Sequence, residues 1–159
     1  MSLRVNLTVQ NMTRRQDVPT ATLLRRYARA ALLGNRERAG LTIRVVGEKE
    51  SQELNATYRK KDYPTNVLSF SSDHPLEVSE HYLGDLVICA AVVAKEAREQ
   101  NKTARAHWAH MVVHGVLHLL GYDHMKEDEA EEMEDEERRI LNMLGFVDPY
   151  LSEASEETV

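Results

Sequence analysis

The sequence predicts an α+β domain in which about four strands pack with helices. Four short segments have the alternation or the continuous apolar character of strands, and the segments between and after them place apolar residues at helical spacing. With 159 residues, 42% of them hydrophobic and 29% charged, the chain has the size and composition of an ordinary globular domain. We therefore expect one domain over residues 1–159, with a flexible tail over about 152–159.

The first half of the chain supplies two strands and two helices. Apolar residues alternate with polar ones over 3–9, which predicts a half-buried strand, and 41–46 has the character of a second strand. Between them, a helix is expected to begin at Thr20 and to end at Gly34. Ser51 is the expected N-cap of a short helix after the second strand.

The second half supplies two more strands and three helices. A strand is predicted over 67–70, and the more apolar strand over 83–89 suits the middle of a sheet. Helices are predicted over 91–100 and over about 103–120. A final helix, rich in acidic residues, is expected to end at Gly145.

The net charge of −6 is unevenly distributed. Residues 126–137 hold nine of the 26 acidic side chains and one of the 20 basic ones, so the rest of the chain has two more bases than acids. Attraction to phosphate is therefore compatible with a surface away from this segment. The acids come early in their helix and Arg138 and Arg139 late, which favours a solvated structural helix over one that binds a metal.

Two features favour a cytoplasmic protein. The N-terminal residues alternate instead of forming a long apolar run, so we expect neither a signal peptide nor a membrane span. Cys89 is the single cysteine and cannot form an internal disulfide, and its apolar neighbours predict a core position.

Three histidines form the motif with the clearest chemistry. His114 and His118 stand one helical turn apart on the same face, and Gly121 allows the chain to turn so that His124 approaches them. Three imidazole ligands and no thiolate leave the fourth position of a tetrahedral Zn²⁺ ion for water, which is the pattern of catalytic zinc. The motif therefore predicts a metal site on this helix and the turn after it.

The neighbours of these histidines narrow the chemistry. The spacing matches that of the metzincin proteases, but Gly115 stands where those enzymes carry the glutamate that acts as general base. This argues against a protease of that mechanism. His107 and His110 precede the motif on the same helix; packing or exposure is the favoured interpretation, and His110 is also a candidate outer-shell or pocket residue.

A cluster of cations follows the helix that Ser51 is expected to cap. Arg59, Lys60 and Lys61 lead into a segment in which Pro64 keeps the preceding residue out of a helix, so an ordered loop is expected. On composition alone, the two lysines suit a hydrated surface as well as a nucleic-acid contact.

Three motifs together resemble the YbeY family of bacterial metal-dependent endoribonucleases. They are the histidine motif over 114–124, the segment over 53–70 and the short motif over 83–85, and they occur in the expected order. The resemblance implies a compact α+β domain with a small mixed sheet. It also implies roles in the maturation of ribosomal RNA, at the 3′ end of the small-subunit RNA, and in ribosome quality control.

The resemblance also implies a set of site residues. Zinc is expected on His114, His118 and His124, and Arg59 is expected in the active cleft. One position departs from the family, because Asn66 stands where the family usually has aspartate. Loss of that charge is expected to have a mild effect.

We therefore expect a zinc-dependent endoribonuclease that is specific for single-stranded RNA, with one Zn²⁺ per chain; imidazole also suits other divalent transition metals. Arg59 and His114 are the expected catalytic residues, and Arg59, Lys60 and Lys61 the expected RNA-binding residues. Expected partners are ribosomal RNA, the small ribosomal subunit and assembly factors, with no DNA and no membrane. Metal-activated water, Asp123 and the 2′-hydroxyl of the RNA remain alternative bases. The alternative functions are a ribosome-assembly factor with structural zinc and a zinc hydrolase with another class of substrate.

Overall fold

The structure, a computed structural model, describes residues 3–72, 81–123 and 125–150. Its elements follow in the order β1 (Arg4–Asn11), α1 (Ala21–Leu32), β2 (Arg38–Val46), α2 (Glu48–Arg59), β3 (Val67–Ser71), β4 (Tyr82–Cys89), α3 (Ala90–Glu99), α4 (Ala104–Leu119) and α5 (Glu127–Met143). The predicted tail over 152–159 lies outside the described residues.

The four strands form one mixed sheet in the order β1-β2-β4-β3. β1, β2 and β4 are parallel, and β3 pairs antiparallel with β4 at the edge. The predicted α+β class is therefore confirmed, as is the inner position of the apolar strand β4. Gly84 in β4 has a φ of +143°, and a Cβ atom there would lie 2.1 Å from the carbonyl oxygen of Phe70, so only glycine fits.

The two faces of the sheet carry different helices. On one face the main core joins the sheet to α1, α4 and α5, and Leu41, Ile43 and Leu86 are among its fully buried members. On the other face a smaller cluster around Leu68 and Val87 packs against α2. Cys89 belongs to this smaller cluster and is buried, as predicted. The sheet therefore separates α2 from α4.

Helix ends follow local hydrogen bonding, with one departure from the prediction. Thr20 and Thr103 are N-caps whose hydroxyls accept from the backbone N–H three residues later. Ser51 is not a cap, because α2 begins earlier, after Gly47, with acidic residues in its first turn. The Ser51 hydroxyl instead donates to the carbonyl oxygen of Thr65 at 3.0 Å and accepts from its N–H, so it fixes the loop before β3.

In the part of the chain that the structure describes, no helix combines the length and the apolar character needed to cross a membrane.

Candidate metal centre

His114 and His118 lie one turn apart on α4, and their rings converge. The two Nε2 atoms are 3.1 Å apart, and the ring planes are inclined by 82°. The opposite nitrogen of each ring is anchored: His114 Nδ1 contacts Glu137 Oε1 at 2.5 Å, and His118 Nδ1 contacts the carbonyl oxygen of Tyr122 at 3.0 Å. The sequence therefore predicted this pair correctly as neighbours.

The anchors determine which nitrogen can bind a metal. A carbonyl oxygen and a carboxylate accept hydrogen bonds, so each Nδ1 donates to its anchor and Nε2 is the nitrogen of each ring that can bind a metal. At 3.1 Å the two Nε2 atoms can share a hydrogen bond if one of them is protonated, and they can bind the same cation if both present lone pairs. In a tetrahedral zinc site with Zn–N bonds of about 2.0–2.1 Å, two ligand nitrogens are separated by about 3.4 Å. The donors and their spacing therefore fit zinc.

The turn after α4 includes the positive φ that the sequence predicted at Gly121. Gly121 has a φ of +104°, and its N–H donates to the backbone carbonyl oxygen of His118. The N–H of Tyr122 donates to the carbonyl oxygen of Leu117 at 3.0 Å. His124, the third predicted ligand, lies outside the described residues. Over 3–72, 81–123 and 125–150, no group of three or more His, Cys, Asp or Glu residues is arranged to hold a metal. The three-histidine site therefore remains a prediction.

Glu137 on α5 is a buried carboxylate that the sequence analysis did not single out. Its side chain is inaccessible to solvent, and besides His114 it contacts His110 Nε2 at 3.4 Å and accepts a short hydrogen bond from the hydroxyl of Tyr150. Burial alone would raise the pKa of Glu137, but the hydrogen bonds from His110 and His114 outweigh it and hold the pKa well below its ordinary value. Burial lowers the pKa of His110.

The signal that could have revealed Glu137 is its position on an apolar stripe. It follows Met133 by four residues and precedes Ile140 and Leu141, which are all buried. An acid on such a stripe requires buried partners. The acidic segment was therefore interpreted correctly as largely solvated, with this one exception.

Gly115 has a packing role instead of a chemical one. A Cβ atom at this position would lie 2.7 Å from Cδ2 of Leu86 and 3.3 Å from Cγ2 of Val67, so glycine lets α4 approach the sheet closely. The hydroxyl of Ser69 in β3 donates to the carbonyl oxygen of Gly115 at 3.2 Å. A glutamate here would point into the sheet, which explains why the position cannot supply a general base.

A sequence model of the endoribonuclease YbeY family matches residues 8–145, which is most of the chain. The chain belongs to the endoribonuclease YbeY family. The resemblance predicted from the three motifs is thus confirmed, and the chain belongs to a family of enzymes that act on RNA. Among solved structures, the chain is similar to the solution structure of TM1509 from Thermotoga maritima, with 22% identity, a TM-score of 0.59, and 95% of this chain and 93% of that one covered. At that identity the likeness shows the fold alone.

Asn66 is the position at which the resemblance predicted a departure from the family, and the structure gives the residue a role that needs its amide. Its Nδ2 donates to Glu96 Oε1 at 3.0 Å, and the same carboxylate oxygen contacts His107 Nε2 at 2.8 Å. Burial would raise the pKa of Glu96, but the hydrogen bonds from His107 and Asn66 hold it below its ordinary value. Aspartate could not donate here. This triad lines a cavity of about 380 Å³ that also includes Lys102 and Tyr150.

The predicted RNA-binding residues of this YbeY chain lie at the C-terminal end of α2, which packs on the sheet face opposite to α4. Arg59, Lys60 and Lys61 are exposed where α2 ends, and Lys60 adopts a left-handed conformation with a φ of 61°. The loop that follows is ordered as predicted, since Asn55 Nδ2 donates to the carbonyl oxygen of Tyr63 at 2.8 Å. The cations and the histidines therefore belong to helices on opposite faces of the sheet.

Proposed function

We propose that this chain is a zinc-dependent endoribonuclease that cuts single-stranded RNA, processes the 3′ end of small-subunit ribosomal RNA and takes part in ribosome quality control in the cytoplasm. Membership of the endoribonuclease YbeY family supports the reaction. The convergence of two anchored imidazoles, with Nε2 atoms 3.1 Å apart, supports the metal and is the observation that carries the proposal. The rest of the 1–159 chain is proposed to form one domain around this site.

The proposed ligands of one ion per chain are His114, His118 and His124. A bound zinc ion supplies Lewis acidity at the reacting phosphate and lowers the pKa of water to about 7. The chain's part is to orient the two described rings, through Glu137 for His114 and the carbonyl oxygen of Tyr122 for His118. Another divalent transition metal would suit the same nitrogens.

Arg59 is the proposed phosphate-binding group, with Lys60 and Lys61 as further RNA contacts. All three are exposed at the end of α2, where they can meet a polyanion from solvent. A guanidinium donates two parallel hydrogen bonds to a phosphodiester, and it stabilises negative charge that develops during cleavage. The proposed partners are ribosomal RNA, the small ribosomal subunit and its assembly factors, without DNA or membrane.

The decisive test combines elemental analysis with RNA cleavage. Purified wild-type protein is expected to contain one zinc ion per chain and to cut a single-stranded RNA, and a chelator should abolish the cutting. Arg59→Glu should lower the rate by about 100-fold or more while zinc content and melting temperature stay at wild-type values. Arg25→Glu, an exposed charge reversal on α1, is the matched control and should leave cleavage unchanged.

His118→Ala separates this function from a ribosome-assembly factor with structural zinc. The enzyme should lose both zinc and cleavage in this variant. If wild-type protein carries zinc but never cuts RNA, and His118→Ala only lowers the melting temperature, the assembly role is correct and the enzyme proposal is wrong. Cleavage of a peptide or small ester instead of RNA would indicate a hydrolase of another class. The RNA ends distinguish internal attack, which leaves a 2′,3′-cyclic phosphate, from attack by water, which leaves a 5′-phosphate.

A further inference from the structure

The segment that follows α5 folds back and ends against the buried carboxylate of that helix. The N–H of Phe146 donates to the carbonyl oxygen of Leu141 at 2.8 Å, which begins the return. Asp148 then contacts Arg138 Nε at 3.0 Å, and the Arg138 guanidinium lies 5.0 Å from the centroid of the Tyr150 ring. Tyr150 is therefore held from one side by the salt-bridged arginine while its hydroxyl reaches inward.

The inward contact is with Glu137. One carboxylate oxygen, Oε2, accepts from the Tyr150 hydroxyl and lies 3.4 Å from His110 Nε2. The other oxygen, Oε1, is 2.5 Å from His114 Nδ1. The Tyr150 ring also lies edge-on to His110, with centroids 5.6 Å apart. Each oxygen of Glu137 thus has its own partners, and those partners come from α4 and from the segment after α5.

This division of partners has a consequence for His114. A buried carboxylate whose second oxygen is held only weakly, as Oε2 would be by His110 alone at 3.4 Å, can rotate and exchange its oxygens, and the hydrogen bond to the imidazole then loses its fixed direction. A hydroxyl bound to Oε2 prevents this exchange and leaves Oε1 directed at Nδ1. The fixed Nδ1–H tautomer leaves the lone pair on Nε2, the atom that faces His118.

We propose that Tyr150, acting through Glu137, is a positioning residue for His114, so that the segment after α5 forms part of the metal site. In this proposal, neither Tyr150 nor Glu137 touches the metal or the RNA. The inference rests on the proposed function only in requiring that His114 binds a metal. It adds a dependence of metal affinity on a residue 36 positions further along the chain.

The test measures zinc affinity of the full chain by competition with a chromophoric chelator. Glu137→Gln should weaken zinc binding by about 10- to 100-fold, the range for loss of an outer-shell partner. Tyr150→Phe removes a single oxygen and should weaken binding by about 3- to 10-fold. The matched controls are Glu136→Gln, a half-buried acid on the same helix that pairs with Arg139 instead of a histidine, and Tyr63→Phe, an exposed tyrosine in the loop before β3. Both controls should bind zinc within twofold of wild type.

A second measurement reports on the tautomer directly. Nitrogen-15 NMR of the imidazole rings should show only the Nδ1–H form of His114 in wild-type protein, with and without zinc, and a mixture of tautomers in metal-free Glu137→Gln and Tyr150→Phe. Loss of stability alone would not move this signal. Because Tyr150→Phe leaves the buried carboxylate in place, it keeps the test valid even if Glu137→Gln unfolds.

The outcomes separate the two proposals. If wild-type protein binds no zinc, the proposed function fails. If it binds zinc but Tyr150→Phe matches Tyr63→Phe in affinity and in the His114 tautomer, the positioning role is wrong while the metal site stands.

Discussion

The close approach of α4 to the sheet makes Gly115→Ala a test of the packing argument with two opposing terms. Replacing glycine by alanine inside a helix stabilises it by about 1 kcal/mol when the site is open. Here the new Cβ atom would lie 2.7 Å from Cδ2 of Leu86 and 3.3 Å from Cγ2 of Val67. Leu86 is fully buried, so its side chain has no solvent to move into. Overpacking of this kind costs about 1–3 kcal/mol, so the net expectation is a loss of about 1 kcal/mol.

Urea unfolding followed by circular dichroism measures this loss, and a double-mutant cycle assigns it. Leu86→Val lacks the Cδ atoms and should cost about 1 kcal/mol alone. If the clash is with Leu86, the double variant Gly115→Ala/Leu86→Val should be more stable, by about 1 kcal/mol or more, than the sum of the single losses implies. A Gly115→Ala protein that is more stable than wild type, or strictly additive losses, would refute the reasoning.

Three other predictions follow from the structure. Asn66→Asp should place two carboxylates about 3 Å apart and replace a hydrogen bond worth about 1.5–3 kcal/mol with repulsion. Because the hydrogen bonds to Glu96 lower the pKa of this carboxyl group, the wild type should exceed the variant in free energy of unfolding by the full amount above about pH 5, and the difference should be lost as the pH falls through the folded pKa of Glu96. Urea titrations of both proteins from pH 7 to pH 3 would show this. Gly84→Ala, with its Cβ 2.1 Å from the carbonyl oxygen of Phe70, should cost more than about 3 kcal/mol, and a melting temperature near wild type would contradict the strain argument. Zinc at 100 times its Kd should stabilise the wild type by about 2.7 kcal/mol and His118→Ala by much less. Calorimetry with zinc and with chelator measures the shift in melting temperature, and equal shifts for both proteins would exclude His118 as a ligand.

The elements of the fold were predictable because each one depends on a local pattern. Alternation over the first strand and the apolar run of β4 carry the strand signal, and the caps Thr20 and Thr103 begin their helices within a residue of the predicted positions. The wrong cap at Ser51 shows the limit of that rule. The side chain of a serine within a helix can instead form hydrogen bonds with a loop distant in the sequence, and only the three-dimensional structure reveals that the partner of Ser51 is Thr65.

The candidate site was predictable where its residues share one helix and not where they come together through the fold. The spacing of His114 and His118 is a property of α4 alone, so their placement on one helical face could be predicted from the sequence. Glu137 reaches His114 across the packing of α5 on α4, and Tyr150 reaches Glu137 only after the chain reverses direction. Neither contact has a sequence spacing that a motif would encode.

The placement of the cationic end of α2 and of the histidine pair on different faces has a consequence for the shape of the RNA. Both helices reach the edge strand: Tyr58 of α2 stacks edge-on against Phe70, and Gly115 of α4 faces Val67. If the RNA contacts Arg59 and the histidines together, as proposed, its path passes around β3. A DNA double helix has a persistence length of about 150 base pairs, so bending a duplex around such a path costs free energy, whereas a flexible single strand bends at a much lower cost. Discrimination against duplexes would then arise from stiffness, with no need for a contact that recognises unpaired bases.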